Sequence, residues 1–241
     1  MECIWVILYG VIYLISEIVS DYIGLKHIIT IISLGMLFGS FCLFAYKRKC
    51  NADYGLQGIK EIEKKQGKCL LAYVPLLSMP LLNIILGKAN GVDALLISEG
   101  ILVLWGALFE ELFFRGFLMH IFHKRLQWKT WISVVISAII FGLFHLNNLY
   151  VENGLYVGVQ AASALAMGIC FGIAFLRTRS LIPGMLIHAG MNVTAVFMPI
   201  ENETLLWVYL LIAILHIPYA IWLYQGIEKK REDKEYKESE R

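Results

Sequence analysis

Eight apolar runs recur along the chain, at about 3–20, 28–46, 69–87, 95–120, 130–147, 157–176, 181–198 and 204–224. A helix crossing the hydrocarbon core of a bilayer needs roughly 20 such residues. The runs therefore predict an all-α, polytopic integral membrane protein with about eight transmembrane helices. The fifth and seventh runs are short for a full crossing. Composition agrees. Hydrophobic residues make up 59% of the 241, charged residues only 17%, and the mean hydropathy is +0.67. A soluble domain of this size does not need so much apolar surface. The first run lacks a basic leading region and a small-residue cleavage site, so it reads as a retained helix rather than a signal peptide. Five scattered cysteines without a C-x-x-C pair argue against a zinc ribbon and a disulfide framework.

The basic residues set an orientation. Seven Lys or Arg lie in 47–68, three in 121–129, two in 177–180 and six in the tail. These alternate connections hold 18 of the 21 basic residues. Cytoplasmic loops carry the excess of Lys and Arg, so both termini are expected in the cytoplasm. Residues 1–227 form a single transmembrane helical domain, with 95–198 as its catalytic core and 228–241 as a charged cytoplasmic tail. K-E-I-E-K-K at 60–65 reads as a short surface helix, suited to anionic lipid. Membrane lipid is thus an expected partner; nucleic acid is not.

Inside the fourth run stands W-G-A-L-F-E-E-L-F-F-R-G-F, residues 105–117. Charges at membrane depth are expensive and mark function. Residues four apart share a helix face, so Arg115 pairs with Glu111. Glu110 lies about 100° round the helix, without such a partner. His145 follows Phe141 by four residues, and His188 and Asn192 lie four apart on one face. Counting 1.5 Å per residue from each cytoplasmic end puts Glu110 at roughly 18 Å, His145 at roughly 22 Å, His188 at roughly 12 Å and Asn192 at roughly 18 Å. Four polar groups on three helices thus meet near the bilayer centre. A carboxylate beside a neutral imidazole takes a proton from water and makes it a nucleophile. His188 and Asn192 suit a developing oxyanion. The same four residues also form a ligand set for a metal-bound water, with a divalent ion such as zinc. The sequence leaves both open. Neither G-x-S-x-G nor H-E-x-x-H occurs, so a serine hydrolase elbow and a zincin helix are unsupported.

E-E-x-x-x-R at 110–115, F-x-x-x-H at 141–145 and H-x-x-x-N at 188–192 resemble the three signature motifs of the CPBP family, which includes Rce1-like CAAX prenyl endopeptidases and bacterial Abi proteins. The resemblance implies an intramembrane endopeptidase. It makes Glu110 the water-activating carboxylate, His145 its assistant, and His188 and Asn192 the oxyanion or metal position. Glu111 and Arg115 are supporting residues. Substrates would be membrane-associated, hydrophobic or lipidated peptides, and the expected location is the plasma membrane of a bacterium. Two other classes fit the same residues: an ion- or proton-coupled transporter, and a catalytically silent immunity protein. No paired Gly/Pro interruption in matching halves supports the transporter. Gly168 and Gly172 form a G-x-x-x-G expected to serve close helix packing within the chain.

Overall fold

In the computed structural model, the described residues are 2–25, 27–48, 54–56, 68–150 and 153–239. The helices are α1 (Glu2–Tyr22), α2 (Ile28–Lys47), α3 (Ser78–Leu86), α4 (Ala94–Glu111), α5 (Thr130–Phe144), α6 (Gly154–Thr178), α7 (Ile182–Phe197) and α8 (Glu203–Ser239). A 3-10 segment, Lys68–Leu77, leads into α3, and another, His145–Tyr150, follows α5. No strand occurs among the described residues. The protein is an all-α polytopic membrane protein. Large apolar side chains such as Ile7, Leu14, Met36, Ile85 and Trp222 remain exposed on the outer helix faces. Exposure on this scale suits lipid rather than water.

Among the described residues, four helical stretches are long and apolar enough to cross a membrane: Ile28–Lys47, Thr130–Leu149, Gly154–Thr178 and Glu203–Lys229. Three of the other four expected crossings differ for physical reasons. The third run is divided between a 3-10 segment containing Pro75 and the nine-residue α3. The fourth carries Glu99, Glu110 and Glu111 within α4. The seventh forms only the 16 residues of α7. The regular helix expected over 95–120 instead widens into π-helical turns at Leu112–Leu118 and Ile121–Arg125. Such turns are rare and favour functional sites. Ser137 of α5 donates to the Phe114 carbonyl inside the first of them, at 2.8 Å. The surface helix expected at 60–65 lies outside the described residues. The backbone of the charged tail continues α8 as far as Ser239.

The caps show why the helices start where they do. The Asp93 carboxylate accepts from Leu96 N at 2.7 Å, and the Asn153 side chain accepts from Leu155 N at 2.8 Å. Each satisfies an amide that the first turn leaves unpaired. Pro183 stands in the opening turn of α7, where its missing N–H costs nothing.

α6 is the central helix. In its most apolar stretch 61% of residues are buried, against 22–33% in the other three long spans. It packs on α5 and α8, α4 packs on α7, and α2 packs on α1 and α4. Glycine sets the α5–α6 distance. A Cβ on Gly168 would meet Ala138 at 3.0 Å, and one on Gly172 would meet Val134 at 3.0 Å. The G-x-x-x-G is thus an internal seam, as its spacing predicts.

Two polar ties lock the periphery. His216 of α8 donates from Nδ1 to the Ile212 carbonyl, and its Nε2 lies 3.0 Å from both the Ser78 hydroxyl and the Pro75 carbonyl. Within the 47–68 connection, Tyr54 is buried against Phe41 and Phe117. The Gly55 carbonyl accepts from Leu181 N at 2.8 Å. Gly55 has φ +68°, and a Cβ there would lie 2.5 Å from the Phe175 ring.

Gly168→Val should overpack the α5–α6 seam and cost about 1–3 kcal/mol. The expected result is a melting temperature in detergent several degrees below that of the unaltered protein.

Candidate active site

The site is built where α4 meets α7 and is closed behind by α5 and α6. Glu111 and Arg115 are each 1% exposed, and Arg115 Nη1 lies 2.9 Å from Glu111 Oε1. The pair expected from the i,i+4 spacing is therefore formed. It is held by charge, since neither Arg115 Nη atom makes an aligned hydrogen bond. Aromatic faces replace some of the lost solvation. The guanidinium carbon sits 4.5 Å from the centre of the Phe141 ring and 5.7 Å from that of Phe171.

His188 enters from α7 and is 4% exposed. Its Nδ1 donates to Glu111 Oε1 at 2.9 Å. Its Nε2 lies 3.5 Å from Glu110 Oε2. The ring stacks on Phe171 at 5.9 Å and meets Phe141 edge-on at 5.7 Å. A carboxylate at Nδ1 fixes the orientation of an imidazole and supports charge on it, the arrangement of catalytic triads. Charge contacts thus run from Arg115 through Glu111 and His188 to Glu110, the last of them without an aligned hydrogen bond. Gly184 lies at this junction, where a Cβ would meet the Tyr73 ring at 3.3 Å and Glu111 Oε2 at 3.5 Å. The Tyr73 hydroxyl in turn donates to the Ser180 carbonyl at 3.0 Å.

Glu110 is one-fifth exposed, and its Oε2 has no hydrogen-bond partner among the described residues. The imidazole in contact with it is that of His188, whereas the resemblance assigned the assisting role to His145. Phe109, its neighbour on α4, packs against Tyr9 of α1 with ring centres 4.5 Å apart.

His145, His188 and Asn192 line one cavity of about 110 Å³, bounded by α3, α5, α6, α7 and α8. His145 Nδ1 donates to the Phe141 carbonyl at 2.9 Å, which leaves Nε2 for the cavity. Glu110, expected in the same site, is not among the lining residues and is linked to them only by its 3.5 Å contact with His188. Polar residues overlooked in the sequence reading share the lining, Asn83, Gln160 and Ser163 together with Tyr156 and Tyr209. Asn83 donates to the Met191 carbonyl and the Thr194 hydroxyl, both at 3.0 Å, and so fixes α7 on either side of Asn192. A lone asparagine in an apolar run was the available signal. Among the described residues, no three His, Cys, Asp or Glu side chains group as ligands for a metal ion. One ring nitrogen of His188 is already engaged by Glu111.

An all-helical membrane protein with paired acids and two histidines at the heart of its bundle is the class that fold and site define. Residues 93–194 match the family described as type II CAAX prenyl endopeptidase Rce1-like. This segment, which contains all three motifs, is thus similar to that family. No curated protein matches the chain significantly.

Removing one member of a buried pair strands the other charge, at a cost of about 3–5 kcal/mol. Arg115→Met alone should therefore lower the yield and melting temperature of folded protein severely. The double variant Glu111→Leu/Arg115→Met should recover part of that loss in the same melting assay.

Proposed function

We propose that the protein is an intramembrane endopeptidase that hydrolyses peptide bonds in membrane-associated or lipidated substrates without a metal. The observation that supports this reading is the contact between Glu110 Oε2 and His188 Nε2, a carboxylate against an imidazole that lines a cavity inside the bundle. Glu110 is the general base. It takes a proton from a water, and the water oxygen attacks the substrate carbonyl carbon. The Asn192 amide and the His145 ring face the same space and stabilise the oxyanion that develops on the carbonyl oxygen. Collapse of the tetrahedral intermediate breaks the C–N bond. The proton held by Glu110 and His188 passes to the leaving amine, so atoms and charge balance. Glu111 and Arg115 do not meet the substrate; they hold His188 in place.

No step in this reading is routed through an ion. Both termini lie in the cytoplasm in this reading, following the basic residues in alternate loops.

The test uses purified protein and an internally quenched farnesylated CAAX peptide. Glu110→Ala and His145→Ala should each lower kcat by about 10²–10⁴-fold, the usual worth of acid–base and oxyanion groups. Their expression and melting behaviour should be unaffected. Full cleavage by both variants refutes the mechanism. Treatment with 1,10-phenanthroline should leave cleavage by the unaltered protein unchanged, whereas loss restored by zinc refutes the metal-free route.

A further inference from the structure

Serine and threonine inside helices usually satisfy their hydroxyls on the carbonyl one turn back. This bundle follows that habit. Ser133 donates to Lys129, Thr178 to Ala174 and Thr194 to Gly190. Ser137 reaches another element instead, the Phe114 carbonyl. Ser163, midway along α6, does neither. It is 5% exposed, and its Oγ has no hydrogen-bond partner among the described residues. It lines the cavity that holds His145, His188 and Asn192. A buried hydroxyl left unpaired is costly and rare.

A second observation points into the same space. Gln160, three residues earlier, lies on the same helix face and lines the same cavity. Its Oε1 accepts from Asn148 Nδ2 at 2.8 Å. That bond fixes the orientation of the amide and leaves its N–H groups to donate. Around the two polar groups the lining is uncharged, with Val159, Met167, Ile200 and Leu206 among it. A hydroxyl that both donates and accepts, beside an amide donor and apolar walls, complements neutral amide groups rather than an ion.

We propose that Ser163 and Gln160 form a subsite that hydrogen-bonds the main chain of the peptide substrate. The inference rests on the hydrolase reading above and adds the residues that hold the substrate to those that act on it. Neither side chain takes part in the bond-breaking step. Their contribution is the same in the bound state and the transition state, so it appears in KM and not in kcat.

The experiment measures kcat and KM for the same quenched farnesylated peptide, together with melting temperatures. Ser163→Ala should raise KM by about 2–10-fold, the effect of one neutral hydrogen bond, with kcat unchanged. Ser163→Thr, which keeps the hydroxyl, should restore KM. Gln160→Ala should shift KM in the same direction. The melting temperature of Ser163→Ala should be equal or higher, because no bond within the protein is lost. An unchanged KM in Ser163→Ala, a fall in kcat alone, or a markedly lower melting temperature overturns the inference. Unaltered protein that cleaves no peptide overturns the hydrolase reading and this inference with it. Cleavage with an unchanged KM in Ser163→Ala overturns the subsite alone.

Discussion

The structure depends on one ion pair placed where ion pairs are least comfortable. Withdrawing both charges from solvent costs several kcal/mol per ion, and their mutual attraction alone rarely repays it. Glu111 and Arg115 are each 1% exposed, so the compensation must be built around them. It comes from three directions. Phe141 of α5 and Phe171 of α6 offer ring faces to the guanidinium, and His188 of α7 donates to the carboxylate. One pair on α4 thereby dictates where three other helices must lie. The π-helical turn at Leu112–Leu118, which contains Arg115, belongs to the same solution, and Ser137 bonds a carbonyl within it.

The small residues answer to the same demand. Gly184 lies where α7 meets the acid, while Gly168 and Gly172 bring α5 against α6. Apolar bulk at these positions would hold the helices too far apart for the imidazole and the rings to reach the charges. Packing and polarity are not separate designs here, since close approach is what allows the polar groups to satisfy one another in place of water.

Much of this was legible in the sequence, and the limits are physical. Helical class and helix positions followed from apolar runs and polar breaks. The Glu111–Arg115 contact followed from a four-residue spacing. The elements misjudged are those whose backbone departs from regular helix: the 3-10 entry to α3 and the π turns after Glu111. Apolar periodicity carries no sign of which carbonyl an amide will choose. The partner of Glu110 was also hidden, because His188 lies on another helix and only tertiary packing decides which of two imidazoles reaches the acid. Ser163 and Asn83 were visible as single polar letters. Their significance depends on what the next helix presents, and spacing along one helix cannot say that.

His188 touches both acids at once, with one ring nitrogen toward each. The same imidazole is therefore a rivet between two helices and the neighbour of the acid left unpaired. Selection cannot tune one duty without disturbing the other. Any tilt that separates α4 from α7 breaks the joint and draws the imidazole away from the unpaired acid in one movement.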